Sequence, residues 1–77
     1  MQKPDKPIPE QLVLGNNIKQ WREKLGIKQD DLAEVVGIKD GRTIRNWEKV
    51  VNAPTFSHMV ALAKAFGISL QELLQGI

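Results

Sequence analysis

Two arginines and an asparagine lie close together near the middle of the chain, at Arg42, Arg45 and Asn46. An arginine can donate two hydrogen bonds to a guanine edge, an asparagine can pair with an adenine edge, and either can hold a phosphate. Helical spacings of three and four would place these side chains on the same side of a helix. Ile44 and Trp47 fall on another side, which predicts that they pack in the core and leave the polar side chains exposed.

The segment around these residues, 26–48, reads GIKQDDLAEVVGIKDGRTIRNWE and contains two short amphipathic helical patterns. The first helix of the pair is predicted from about Gln29 to Val36 and is ended by a glycine. The second is predicted over residues 41–49, with Asp40 as its N-cap. Two short helices around a glycine-containing turn are typical of the helix-turn-helix unit, whose second helix enters the DNA major groove.

Three further helices are predicted around this unit. The first covers residues 10–24, because apolar residues repeat there at helical steps of four, three and four. These residues are Leu14, Ile18, Trp21 and Leu25. A fourth helix is capped by Thr55, and a short fifth helix is capped by Ser69. Because no alternation of strand period is found, the predicted fold class is all-α, a compact five-helix domain without a sheet.

The aromatic residues and the single histidine are interpreted as structural. Trp21, Phe56 and Phe66 occupy apolar helical positions and are predicted to pack in the core. His58 is predicted to be a solvated or hydrogen-bonded surface group. One histidine in a chain without cysteine does not build a metal site, so neither a metal nor a cofactor is expected.

The length of 77 residues corresponds to one small domain, predicted over residues 10–77. Residues 1–9 contain three prolines and are predicted to be a flexible arm. No apolar run reaches the ~20 residues of a membrane span, and no secretory signal is present, so we expect a cytoplasmic protein. No nucleophile–base arrangement is found, so an enzyme is not expected.

A resemblance to a known family rests on four ordered segments, namely Ile18–Arg22, Gln29–Ala33, Thr43–Glu48 and Leu62–Leu74. In these segments the chain resembles the Cro and phage-repressor type of helix-turn-helix protein, also called the λ repressor-like or XRE family. The resemblance covers most of the chain outside the arm. It implies a λ repressor-like DNA-binding domain.

Three positions depart from the family pattern. Lys28 stands where the second helix normally begins with a serine or threonine cap. The turn before the third helix is one residue longer than usual and runs through Lys39, Asp40 and Gly41. Val50 stands where the family often has a glycine.

The resemblance also implies roles for individual residues. Arg22 in the first helix would pair with Glu48 at the end of the third helix and remain near a phosphate. Arg42, Asn46 and Thr43 would contact bases, and Arg45 would contact a base or a phosphate.

Phosphate contacts are expected on both sides of the third helix. Gln29 takes this role in the family, and it stands at a helix N-terminus, where free N–H groups favour an anion. The other candidates are Lys28, Lys39, Lys49 and Asn52. The alternative for Gln29 is a solvated surface side chain without a phosphate contact. Any single surface lysine is also more often solvated than bound to a phosphate.

The sequence therefore predicts a double-stranded DNA-binding transcriptional regulator, in particular a repressor. A chain of this size offers few base contacts, so we expect a homodimer on a palindromic operator. The apolar residues of the C-terminal helix would form the dimer surface, at Leu70, Leu73, Leu74 and Ile77. No domain for a small molecule is expected.

The alternative is a protein-interaction module on the same fold, such as an antitoxin or a transcription adaptor. The net charge of only +2 is weak support for nucleic-acid binding and keeps this alternative open. The acidic pair Asp30 and Asp31 also keeps this alternative open, because negative charge disfavours contact with DNA. Both residues are equally explained by the positive end of a helix dipole.

Overall fold

The computed structural model describes residues 9–77, which form five α-helices. In chain order they are α1 Pro9–Lys24, α2 Gln29–Val36, α3 Gly41–Glu48, α4 Phe56–Phe66 and α5 Leu70–Leu73. No strand occurs in this range, which confirms the all-α expectation for the described residues. No helix in it is long and apolar enough to cross a membrane.

Two predicted boundaries need correction. The predicted arm includes Pro9, but Pro9 is the first residue of α1, a position where its missing N–H and fixed φ are tolerated. The rest of the arm, residues 1–8, lies outside the described residues. The third helix ends at Glu48, one residue earlier than predicted, and Lys49 is its C-cap.

The predicted N-caps are confirmed. The Arg42 N–H donates to the Asp40 carboxylate over 3.0 Å, and the His58 N–H donates to the Thr55 hydroxyl over 3.2 Å. Ser69 forms a full capping box at the start of α5. Lys28 occupies the N-cap position of α2 and provides no side-chain hydrogen bond, as the sequence indicates.

The core is a single apolar cluster drawn from all five helices. Its buried members are Leu14, Ile18, Leu32, Ala33, Ile44, Trp47, Leu62, Ala63, Phe66 and Leu73. Ile44 and Trp47 are 0% and 3% exposed, so the prediction that this side of α3 is buried is confirmed. Trp21 is half-buried and packs against the cluster.

Phe56, Leu25 and His58 do not follow the sequence prediction. Phe56 is 66% exposed, because helical side chains lean towards the N-terminus and this one stands at the first position of α4. Leu25 is 46% exposed because α1 ends one residue before it. The His58 ring is half-buried and lies 5.2 Å from the ring of Trp47, so it packs against α3.

Two glycines allow α3 to approach its neighbours closely at both ends. A Cβ atom at Gly41 would lie 2.8 Å from the backbone nitrogen of Asp30 in α2. A Cβ atom at Gly15 in α1 would lie 2.7 Å from the carbonyl oxygen of Trp47. Larger residues at these places would push α3 away from α2 at its start and from α1 at its end.

The end of α3 has an unusual residue in a standard motif. The Val51 N–H donates to the Asn46 carbonyl over 2.8 Å, and the Val50 N–H donates to the Trp47 carbonyl over 3.2 Å. These two bonds form a Schellman motif, which normally has glycine at the position that Val50 occupies. Val50 has φ 61°, in the left-handed region that a β-branched residue adopts only with strain.

We expect Val50→Gly to raise the free energy of unfolding by about 1 kcal/mol, because glycine removes the left-handed strain. Chemical denaturation measures this change. Val51→Gly is the control, since Val51 has no positive φ and glycine there should give no gain. A Val50→Gly variant less stable than the wild type would mean that the packing of the valine methyls outweighs the strain.

Candidate nucleic-acid interface

The third helix has one buried and one exposed side. Opposite Ile44 and Trp47, Arg42 and Arg45 are exposed, and Asn46 is half-buried. Thr43, the fourth residue predicted to contact bases, is also half-buried. The structure therefore brings the predicted base-contacting residues together on one accessible side of one helix.

An ion pair fixes the last turn of α3 to α1. Arg22 Nε donates to Glu48 Oε2 over 2.6 Å, and Arg22 Nη2 donates to Glu48 Oε1 over 3.1 Å. The side chains are 13% and 4% exposed, and this bidentate geometry is the strongest that guanidinium and carboxylate form. The hydrogen bond to Glu48 raises the pKa of Arg22 above its ordinary value, against the opposing effect of burial. The predicted pair is confirmed.

The same ion pair extends to two other parts of the chain. Arg22 Nη1 donates to the carbonyl oxygen of Ile27, in the connection between α1 and α2, over 3.0 Å. Gln29 Nε2, at the first position of α2, donates to Glu48 Oε1 over 3.2 Å. One carboxylate thus orients both Arg22 and Gln29, a shared partner that the sequence analysis missed. The two positions are 19 residues apart, so no local pattern indicated the bond.

The start of α2 offers N–H groups to an anion. Its N-cap, Lys28, contributes no side-chain acceptor, and the first helical bond runs from the Leu32 N–H to the Lys28 carbonyl over 2.9 Å. The N–H groups of the first turn are orphan donors that water or a phosphate can satisfy. Gln29 stands at this turn, as the sequence predicts.

The start of α3 is different, because carboxylates already occupy it. Asp40 accepts from the Arg42 N–H over 3.0 Å, and Asp30 accepts from the Gly41 N–H over 2.9 Å. The sequence indicated the first bond but not the second. The sequence pattern offers Asp30 no partner at the start of α3, since Gly41 is 11 positions away.

A pocket of about 300 Å³ lies between the starts of α2 and α3. Its lining residues are Gln29, Asp30, Asp40, Gly41, Arg42 and Arg45. Gln29, which is predicted to contact a phosphate, therefore lines the same pocket as Arg42 and Arg45, which are predicted to contact bases.

The remaining phosphate candidates lie in the connections that flank α2 and α3. Lys28 and Lys39 precede α2 and the cap of α3, and Lys49 and Asn52 follow α3, all of them exposed. No cluster of His, Asp or Glu that could hold a metal ion occurs in residues 9–77.

The helix order, the turn between α2 and α3, and the braced α3 define a λ repressor-like helix-turn-helix domain. The chain belongs to the helix-turn-helix family HTH_3, whose family model matches residues 18–73. This match begins within α1 and includes all of α2, α3, α4 and α5.

Repressor protein C2 of Salmonella phage P22 is 34% identical over 64 residues, which are 83% of this chain and 29% of that protein. This chain therefore spans less than a third of the length of that relative. The P22 c2 repressor in complex with a synthetic operator superimposes with a TM-score of 0.74, at 34% identity, over 83% of this chain and 96% of that one. The solution structure of the P22 c2 DNA-binding domain gives a TM-score of 0.78 at 35% identity, over 90% and 88% of the two chains.

We expect Glu48→Ala to lower the free energy of unfolding by about 1–3 kcal/mol, because it leaves the largely buried Arg22 without its acceptor. Thermal or chemical denaturation measures the loss. Glu23→Ala is the matched control, since Glu23 is 56% exposed and lies 4.0 Å from the same guanidinium. It should change stability by less than about 0.5 kcal/mol. Equal stability of Glu48→Ala and the wild type would show that the pair is not a structural brace.

We expect Asp40→Ala to lower stability by about 1 kcal/mol through loss of the N-cap, and Asp40→Asn to retain it. In both variants a negative charge is lost, so a difference between them isolates the capping oxygen. Denaturation midpoints of the two variants provide the comparison. Similar midpoints for alanine and asparagine would refute the capping role.

Proposed function

We propose that this chain is a sequence-specific, double-stranded DNA-binding transcriptional regulator that acts as a repressor and reads the major groove with α3. The observation that supports this most directly is the exposure of Arg42 and Arg45 on a helix whose other side is buried. A helix held from both ends can present side chains to base edges in a fixed register. The family membership and the operator complex of the P22 c2 repressor support the same function.

In this proposal the exposed side of α3 reads the sequence. Arg42 donates to guanine O6 and N7, and Asn46 pairs with adenine N6 and N7. Arg45 contacts a base or the adjacent phosphate. Thr43 is half-buried beside them and offers one hydroxyl to a base edge.

Phosphate contacts set the position of the helix in the groove. Gln29 and the first-turn N–H groups of α2 hold one phosphate, with Arg22 behind them supplying positive charge. The exposed residues around α3 hold others, namely Lys28, Lys39, Lys49 and Asn52. These contacts add affinity without sequence preference.

Two copies bind a palindromic operator in this proposal, with half-sites about 34 Å apart. The C-terminal helix offers a smaller surface for pairing than the sequence predicted. Leu73 is 0% exposed and belongs to the core, whereas Leu70 and Leu74 are half-buried against it. Ile77 is 56% exposed and is the main apolar group left for a partner. The regulator acts in the cytoplasm without a cofactor or catalytic step.

In vitro selection from a random DNA pool tests the function. The proposal expects a palindromic consensus whose binding weakens steeply with salt, because phosphate contacts release counterions. Selection without any enriched sequence would contradict it and would favour the protein-interaction alternative.

On the selected operator, we expect Arg42→Ala and Asn46→Ala each to weaken binding by about 1–3 kcal/mol when the preferred base is present. Each variant should also lose base preference at one operator position. Titrations on the operator and its single-base variants measure this. Lys64→Ala, an exposed lysine on α4, is the control and should leave base preference unchanged. If both α3 variants lose affinity equally for every sequence, these residues contact only phosphate.

A further inference from the structure

The first turn of α3 is joined to α2 by a side chain of α2. Asp30 is the second residue of α2, and its Oδ1 accepts a hydrogen bond from the N–H of Gly41, the first residue of α3, over 2.9 Å. The first N–H groups of a helix have no partner within that helix, so an acceptor must come from elsewhere. Asp40, the N-cap of α3, accepts from the Arg42 N–H instead. Asp30 thus completes the start of a helix to which it does not belong.

The two helices meet closely at this hydrogen bond, and Gly41 is buried there. A Cβ atom at Gly41 would lie 2.8 Å from the backbone nitrogen of Asp30 and 2.9 Å from the carbonyl carbon of Gln29, and it would also collide with Asp30 Oδ1. The first turns of α2 and α3 therefore approach each other through their backbones. A movement of the start of α3 away from α2 would break the bond to Asp30.

The connection between the two helices does not hold the start of α3 in the same way. Its first part is held to α2, because the Ile38 N–H donates to the Ala33 carbonyl over 2.9 Å. Lys39 and Asp40 follow, and both are exposed. In the described part of the chain, the N–H groups of these two residues donate to no backbone carbonyl. After Ile38, the bond to Asp30 is therefore the next hydrogen bond from the backbone to α2.

We propose that Asp30 is a positioning residue for base reading: its bond to the Gly41 N–H holds the first turn of α3, and with it Arg42, in place against the DNA. This inference rests on the proposed DNA-binding function. Arg42 directly follows Gly41 and lines the same pocket as Asp30. A side chain reads a base only when its own backbone is held in the right place, so a specific contact depends on the residues behind it. Asp30 needs no contact with a base in this role.

The charge of Asp30 and its hydrogen bond act on DNA binding in opposite directions. A carboxylate near DNA repels the phosphates of every sequence, so the charge lowers affinity without regard to sequence. The hydrogen bond holds Arg42 in register, so it raises affinity only for the correct sequence. Removing the carboxylate should therefore strengthen binding to random DNA and weaken the preference for the operator. A loss of stability alone does not give this result, because a smaller folded fraction lowers both affinities by the same factor.

The two ends of α3 are held separately, which gives the inference a positional consequence. The pair between Arg22 and Glu48 holds the last turn to α1, whereas Asp30 holds the first turn to α2. Without the Asp30 carboxylate, α3 can move at its start while its end stays in place. Arg42 lies near the freed end and Asn46 nearer the held end. Base preference should therefore be lost mainly at the operator position that Arg42 reads.

The test measures binding to the selected operator and to random DNA of the same length at one salt concentration. The ratio of the two affinities should fall about 10-fold in Asp30→Ala, which corresponds to the loss of one hydrogen bond to a charged group. Asp30→Asn should keep the ratio, because its amide oxygen can accept from the Gly41 N–H. Asp31→Ala is the matched control, since Asp31 is exposed, lies in the same turn and carries the same charge. It should strengthen binding to both DNAs and leave the ratio unchanged.

Exchange of the Gly41 amide proton tests the hydrogen bond itself, without DNA. It should be faster in Asp30→Ala than in the wild type, because the N–H loses its acceptor. The proton should remain protected in Asp30→Asn and in Asp31→Ala. Equal exchange in all four proteins would show that Asp30 does not hold this N–H, and the inference would fall.

Other results would also overturn the inference. A wild-type ratio in folded Asp30→Ala would remove the positioning role but leave the proposed function standing. An equal fall in Asp30→Asn would assign the effect to the charge, and an equal fall in Asp31→Ala would assign it to the start of α2 as a whole. Equal loss of preference at the positions read by Arg42 and Asn46 would contradict the held end of α3. Enrichment of no operator by the wild type would remove the proposed function and this inference together, whatever the exchange of the Gly41 amide.

Discussion

The partly buried pair between Arg22 and Glu48 is the interaction on which the candidate interface depends. Removing two charges from water is costly, and the cost is offset only when the geometry is good and the remaining atoms are satisfied. Here both Glu48 oxygens accept hydrogen bonds, one from Arg22 and the other shared by Arg22 and Gln29. The pair therefore specifies where α1, α2 and α3 meet more than it adds stability. Through it, Gln29 and the last turn of α3 take fixed positions relative to each other.

The acidic residues around α3 each have a hydrogen-bonding partner, in a chain of net charge +2. Glu48 is bonded to a guanidinium, and Asp30 and Asp40 are bonded to N–H groups at the start of α3. A carboxylate at a helix N-terminus is partly compensated by the dipole. The side chains of Arg42 and Arg45 extend from the same surface, so the local charge pattern matters more than the sum over the chain.

The three departures from the family pattern each have a structural outcome. The substitution at Lys28 leaves the first turn of α2 without a side-chain cap hydrogen bond. The longer turn still ends in an effective cap, because Asp40 reaches the Arg42 N–H. The Schellman hydrogen bonds still form at Val50, but its backbone adopts the strained left-handed conformation. The scaffold around α3 thus tolerates local changes, because its ends are held by contacts with α1 and α2.

The sequence by itself determined the helices, their caps and the buried side of α3, because these depend on residues three or four positions apart. The pairing of Arg22 with Glu48 came from the family resemblance, since periodicity does not join positions 26 residues apart. Only the tertiary structure decided that Gln29 bonds to Glu48 and that Asp30 closes the start of α3. It also decided that Phe56 is exposed and Leu73 is buried, although both look equally apolar in sequence. Burial depends on which helix covers a residue, and that is set by packing between segments distant in the chain.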